Sequence, residues 1–237
     1  MKIPELLAPA GNMEKGLTAI EYGADALYLA GKQFGMRAGA GNFELSEIAQ
    51  IVDIAHGRGV KIYVTVNAMP HNDEIDLLPQ YLEELDKIRI DGIILSDPGV
   101  LRLAKKHAPN VQLHLSTQAS TVNYQSAQFW ADAGISRIVM ARELSREEIA
   151  LMRQHTDVEL EMFVHGAMCM AYSGRCLLSN FLTGRDANRG NCAQNCRWKY
   201  AVVEEKRPGQ YFPIEEDERG THIFNSKDLC LIDYIPD

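Results

Sequence analysis

Long apolar runs are missing from this 237-residue chain: none approaches the roughly 18 residues that a membrane span requires. The opening Met1-Lys2-Ile3-Pro4-Glu5 has no signal-peptide core, so a cytoplasmic location with no membrane partner is expected. Positive charge is also scarce. With 24 Lys and Arg against 32 Asp and Glu, the formal charge is −8, which excludes a whole-surface attraction to polyanions and confines any nucleic-acid contact to a local patch. Five cysteines are too few to staple a secreted domain of this size. Hydrolase signatures are absent as well: there is no H-E-x-x-H or G-x-S-x-G, and Tyr172-Ser-Gly174 lacks the flanking glycine that makes a nucleophile elbow. Nor is there a dinucleotide fingerprint, because Ala8-Pro-Ala-Gly-Asn12 has one glycine and Gly39-Ala-Gly41 runs on into Asn42-Phe-Glu44. What is present is a globular composition, 46% hydrophobic and 24% charged, sufficient for one substantial core.

Residues 1–167 alternate short apolar runs with amphipathic segments, the pattern of repeated βα units. Seven strands are expected: Glu5 to Ala10, Ala24 to Ala30, Lys61 to Asn67, Gly92 to Asp97, Val111 to Thr117, Arg137 to Arg142 and Glu159 to Gly166. Between them, Asp73 to Arg89 reads as helix, with Ile75, Leu78, Leu82, Leu85 and Ile88 near a 3.6-residue period. Ser145-Arg-Glu-Glu148 has capping-box spacing and starts another. The segments Tyr22-Gly-Ala-Asp-Ala-Leu, Ile90-Asp-Gly-Ile-Ile and Ala133-Gly-Ile-Ser-Arg-Ile repeat a helix-to-strand junction. The expected fold is therefore α/β, a TIM-barrel-like array of parallel βα units favoured over an open sheet, and incomplete because no eighth strand is visible. After strand 7 comes a Cys-rich insertion, residues 168–200. Residues 201–237 read as a hairpin around Pro208-Gly209 followed by the start of a final βα unit, with Ile223 to Ile232 as strand leading into helix.

The insertion gathers unlike chemistries. Cys169 and Cys176 are separated by six residues and Cys192 and Cys196 by three, with fifteen between the pairs. Four thiolates complete a ligand set for zinc or for an iron–sulfur cluster, and spacing does not separate the two. Arg175, Arg185, Arg189, Arg197 and Lys199 face one acid, Asp186, so residues 175–199 carry +4 against −12 elsewhere. Such cations would stabilise a thiolate-rich centre. Cys230, in an apolar context, reads as a core thiol. Polar residues at strand ends form a second group, because parallel barrels place active sites there: Asn67, Asp97, Ser116, Gln118, Arg142 and His165, with Arg37 from the loop after strand 2. Asp97 before Pro98-Gly99 also fits a plain Asx turn, and Asn67 fits loop satisfaction.

The stretch Glu161-Met-Phe163-Val-His-Gly166-Ala-Met-Cys169-Met-Ala-Tyr-Ser-Gly174-Arg-Cys176-Leu-Leu-Ser179 resembles the signature of the collagenase-like peptidase family of unknown catalytic type. Pro4-Glu-Leu-Leu-Ala-Pro-Ala-Gly11, Ser96-Asp-Pro-Gly99, His114-Leu-Ser-Thr-Gln118, Ala141-Arg-Glu-Leu-Ser145 and Gly190-Asn-Cys192-Ala-Gln-Asn-Cys196-Arg-Trp-Lys-Tyr200 look most like its tRNA 5-hydroxyuridine branch. The resemblance implies oxygen-independent hydroxylation of the wobble uridine of tRNA, with prephenate as hydroxyl donor. It implies an iron–sulfur cluster, 4Fe-4S in type with zinc as the alternative, held by Cys169, Cys176, Cys192 and Cys196, and Cys230 as reserve for the fourth position. Arg185, Arg189, Arg197 and Lys199 are the expected RNA contacts. Arg142 and His165 are the expected catalytic pair, and Arg37, Asn67, Asp97, Gln118 and Arg142 would bind the substrate, since a guanidinium holds a carboxylate with two parallel hydrogen bonds. Two other readings stand beside this enzyme: a collagenase-like peptidase, and a noncatalytic iron–sulfur scaffold working with tRNA or a protein electron donor.

Overall fold

The computed structural model describes residues 3–35, 42–167, 169, 171–173, 175–187, 191–198, 200–203, 205–213 and 228–230. Seven parallel strands lie side by side in chain order: β1 (Leu7–Pro9), β2 (Ala26–Ala30), β3 (Lys61–Val66), β4 (Gly92–Leu95), β5 (Gln112–Leu115), β6 (Arg137–Val139) and β7 (Glu159–Glu161). Helices fill the crossovers: α1 (Met13–Glu21), α2 (Leu45–His56), α3 (Asn72–Ile75) with α4 (Leu78–Ile88), α5 (Pro98–His107), α6 (Tyr124–Asp132) and α7 (Arg146–His155). The sheet curls into a half-barrel, and no eighth parallel strand is found among the described residues.

The alternation of side chains along each strand sorts two layers. Leu27, Leu29, Ile62, Val64, Ile93, Leu95, Leu113, Leu115 and Ile138 face outward into one apolar core with Ile48 and Ile51 of α2, Leu78, Leu82 and Leu85 of α4, and Val100 and Ala104 of α5. Ala26, Tyr63 and Ile94 form a separate inner cluster. Inside the curl the space is tight: a Cβ on Gly92 would stand 2.9 Å from both His114 Cε1 and Tyr63 Cδ1, so a bare α-carbon is needed where these rings meet. Truncating an outward leucine would remove its transfer energy and leave a cavity, about 2–5 kcal/mol.

Most expected strands are present but shorter. The helix expected over Asp73 to Arg89 is two helices, because Pro79 in the first turn of α4 has no amide hydrogen to continue the ladder from α3. The seventh expected strand is also divided. Glu159–Glu161 stays in the main sheet, whereas β8 (His165–Ala167) leaves it and pairs antiparallel with β11 (Asp228–Cys230). Gly166, in the middle of β8, takes φ +150°, a conformation that L side chains rarely adopt. An apolar run does not reveal such a change of partner, since periodicity carries no record of which distant strand a segment will pair with. In the insertion, α8 (Leu178–Thr183) is a short helix, and β9 (Ala201–Val203) pairs with β10 (Tyr211–Pro213) to make the hairpin expected around Pro208-Gly209. Cys230 is exposed on the two-stranded ladder rather than buried in a core, because β11 lies outside the main sheet. The helix expected after it lies outside the described residues.

Candidate functional site

The beginnings and ends of the strands differ sharply in chemistry. At the beginnings, Arg137 at the head of β6 donates from Nη1 to Glu5 Oε1 at 2.7 Å and from Nε and Nη2 to Glu159 Oε2 at 2.9 and 2.8 Å. Glu5 also accepts from Lys61 Nζ at 2.9 Å and from the Tyr63 hydroxyl at 2.8 Å. The Arg137 guanidinium lies 5.1 Å from the centre of the Tyr63 ring, and Tyr63 meets His114 edge to face. Burial alone would raise the Glu5 pKa, but the bonds from Arg137, Lys61 and Tyr63 hold it down at about 2. Burial pushes His114 down to about 3, with Arg137 adding to the shift, and both ring nitrogens lack a hydrogen-bond partner. Burial also lifts Glu161 to about 7, although Arg137 stands 3.7 Å away and pulls the other way. These residues were not among the sequence candidates. The available signal was charge opening several strands, Lys61, Arg137 and Glu159, at positions whose alternation points inward.

At the strand ends, Gln118 accepts from the Ser116 hydroxyl at 2.9 Å and donates to the Asn67 carbonyl at 2.9 Å, while Ser96 reaches that carbonyl at 3.3 Å. Gln118 is buried, so its amide serves as a strap across β3 and β5. Asp97 caps α5, one carboxylate oxygen accepting from the amides of Gly99 at 2.7 Å and Val100 at 3.0 Å, which is the Asx-type role. Arg142, just past β6, lays its guanidinium 3.8 Å from the centre of the Phe163 ring. The thiol of Cys169 is pushed up by burial, pulled down by Arg142, and pushed up again by Cys196, Cys192 and Cys176. Arg142 and the four cysteines are thus one electrostatic neighbourhood, although among the described residues no three ligating side chains stand at metal-bonding distance. The amide of Gln194 points at Cys192 Sγ from 3.3 Å, the kind of N–H···S contact that stabilises a thiolate. This donor set fits an iron–sulfur cluster or zinc: soft sulfur ligands, a neighbouring cation and a backbone N–H.

Contrary to the expectation from the sequence, His165 does not end a strand of the main sheet. It opens β8, is exposed, and sits across the ladder from Cys230. Arg185 and Arg197 are exposed on the insertion, whereas Arg37, Arg189 and Lys199 lie outside the described residues.

A half-barrel of parallel βα units with a cysteine-bearing segment after its seventh strand defines the class. Residues 11–237 match Peptidase family U32, and the chain belongs to that family. It is 47% identical over 235 residues to tRNA hydroxylation protein P1 of Bacillus subtilis, an alignment covering 99% of this chain and 56% of that protein. It is 40% identical over 224 residues to the 23S rRNA 5-hydroxycytidine C2501 synthase of Escherichia coli, covering 94% of this chain and 33% of that protein. The structure of the U32 peptidase Mk0906 superposes with a TM-score of 0.58 at 19% identity over 70% of each chain, a likeness of fold. The chain spans a little over half the length of tRNA hydroxylation protein P1.

Proposed function

We propose that this chain is part of an RNA hydroxylation enzyme that acts on tRNA, with an iron–sulfur centre at Cys169, Cys176, Cys192 and Cys196 and prephenate as hydroxyl donor. The observation that carries the reading is the shared neighbourhood of Arg142 and the four thiols past the end of β6, in a chain whose relatives are named for hydroxylating RNA. A cluster bound there would supply one-electron chemistry at low potential. The chain's own residues do the rest. Arg142, steadied by the Phe163 ring, presents a planar donor to one carboxylate of prephenate. The strap of Ser116, Gln118 and Asn67 keeps the ends of β3 and β5 together. Exposed Arg185 and Arg197 meet phosphates, each contact adding about one unit to the logarithmic salt slope of RNA affinity. Relatives named for RNA modification, and the missing protease signatures, weigh against a peptidase.

Anaerobic preparation followed by iron, sulfide and zinc analysis tests the centre. Serine at any of Cys169, Cys176, Cys192 or Cys196 abolishes the visible cluster absorption, and Cys230→Ser retains it. Full retention in Cys196→Ser moves the fourth ligand to Cys230. Zinc without sulfide overturns the iron–sulfur assignment. Calorimetric titration tests the anion site: Arg142→Lys keeps fold and cluster but weakens prephenate binding about tenfold, near 1.4 kcal/mol. Undiminished affinity removes Arg142 from the site.

A further inference from the structure

In the barrel Tyr63 and Phe43 are fully buried while Tyr22 and Phe129 are exposed on its helical layer; what sets the insertion apart is that its exposed rings stand among clustered cations. Phe181 on α8 is 85% exposed, and Trp198, just past the 3-10 turn Asn195–Arg197, is 48% exposed. The supports beneath these rings are polar. Ser179 Oγ accepts from the Ala193 amide at 3.0 Å, Thr183 Oγ1 donates to the Ser179 carbonyl at 2.7 Å, and the Tyr200 hydroxyl donates to the Asn195 carbonyl at 2.9 Å. Ser179 and Asn195 are buried; the Ser179–Ala193 bond ties α8 to the approach to the turn, and the other two bonds brace each element internally. Phe181 lies two residues beyond Ser179, about 200° around a helix axis, and so projects away from that tether. The result is a braced segment that exposes two aromatic rings, Phe181 and Trp198, and two cations, Arg185 and Arg197.

We propose that Phe181 and Trp198 form a stacking platform for unpaired bases of an RNA loop, with Arg185 and Arg197 holding the adjoining phosphates. The inference rests on the RNA reading above and adds the mode of recognition. Charge complementarity selects the occupant: the segment is locally +4 within a chain of −8, and a second copy docked about a two-fold axis would oppose this cationic face to itself. Bases supply the rest, because every unstacked base has a face for an aromatic ring, worth about 1–3 kcal/mol each. A continuous A-form duplex offers no such face. The platform therefore favours loops over stems.

The test follows the anisotropy of a fluorescent RNA hairpin with an unpaired loop, and of the same strand annealed to its complement, on titration with the full chain at several salt concentrations. Wild type prefers the hairpin. Phe181→Ala and Trp198→Ala each weaken hairpin binding about tenfold while leaving the salt slope and the duplex affinity unchanged. Trp198→Phe retains most of the affinity, which separates stacking from disruption of the neighbouring cysteines, as does unchanged iron content. Arg185→Ala has the converse signature, a slope smaller by about one. Hairpin affinity that survives both alanine substitutions overturns the platform alone. Absence of RNA binding by wild type removes the RNA reading and the platform together. A wild-type dimer that Phe181→Ala dissociates makes the face a protein interface and overturns the proposal.

Discussion

The two ends of the same seven strands put similar side chains to opposite uses. Where the strands begin, Arg137, Glu5, Lys61, Tyr63 and Glu159 bond to one another, and the carboxylates and cations are consumed within the fold. Where they end, the neutral groups Ser116, Gln118 and Asn67 bond to one another, while the one cation of that set, Arg142, lies over an aromatic ring and close to thiols. An arginine that ties β6 to the segment before β1 holds the sheet in its curl. Arg142 instead lies against an aromatic ring in the electrostatic neighbourhood of four thiols. The same residue type is read differently because of the partners that surround it, which matches the usual division of labour in parallel barrels between a stability face and an active face.

The sharpest way to break this comparison is to remove Arg137. Replacement by methionine keeps the volume but leaves the half-buried Glu161 without its cation and Glu5 with Lys61 alone, at a cost of about 3 kcal/mol. Denaturant unfolding should show that loss, whereas iron content measured at low temperature should match wild type. Loss of iron at unchanged stability would make the two ends one coupled site.

Acid titration gives the next largest effect. His114 has a folded pKa of about 3 against 6.5 in the unfolded chain, so the unfolded chain takes up the proton first as pH falls. Stability fully present above pH 6.5 should be lost steadily toward pH 3, and below pH 4.5 Glu5, held at about 2, should add to the loss. His114→Phe should flatten the curve between pH 6 and pH 4.5. An equally steep curve in that variant would place the acid sensitivity elsewhere.

Glu161 runs in the opposite direction. Its folded pKa of about 7 lies above its ordinary 4.5, so the folded protein retains a proton that the unfolded chain has released. That contribution is present below pH 4.5 and lost as pH rises through 7. Glu161→Gln keeps the neutral shape and should melt higher than wild type at pH 8, by about 2 kcal/mol, with little difference at pH 4.5.

How far the sequence disclosed this arrangement depended on what each residue's role required. The outward core, Leu27 to Ile138, was legible because burial imposes a period, and Ser145-Arg-Glu-Glu148 was legible because a cap is a local hydrogen-bond pattern. The Glu5–Arg137 pair was not, since its partners are 132 residues apart and meet only through the curl of the sheet. His165 was misplaced for the same reason: its strand joins a ladder with β11, more than sixty positions later, and no local pattern encodes a distant partner. Phe163 beneath Arg142 escaped notice because an apolar residue in an apolar run announces packing, not a seat for a cation.

The smallest effect is expected at the carboxyl end, only three residues beyond Arg142. There Ser145 Oγ accepts from the Glu148 amide at 3.3 Å and Glu148 Oε2 accepts from the Ser145 amide at 2.8 Å, a reciprocal cap on α7. Ser145→Ala removes one half of the box and leaves a helix amide to water, at a cost of about 1 kcal/mol. In a chain of this size that is roughly 2–4 °C of melting temperature. Glu148 is held below the usual carboxylate range by the Ser145 amide first and its hydroxyl second, so the variant should also let the Glu148 pKa rise, visible by carboxyl NMR titration. Iron content should not change, because the bonds of the cap run between Ser145 and Glu148 alone. A large loss of iron in Ser145→Ala would mean that the entry into α7 sets the position of Arg142, and the carboxyl end would then be as tightly built as the end that Arg137 holds.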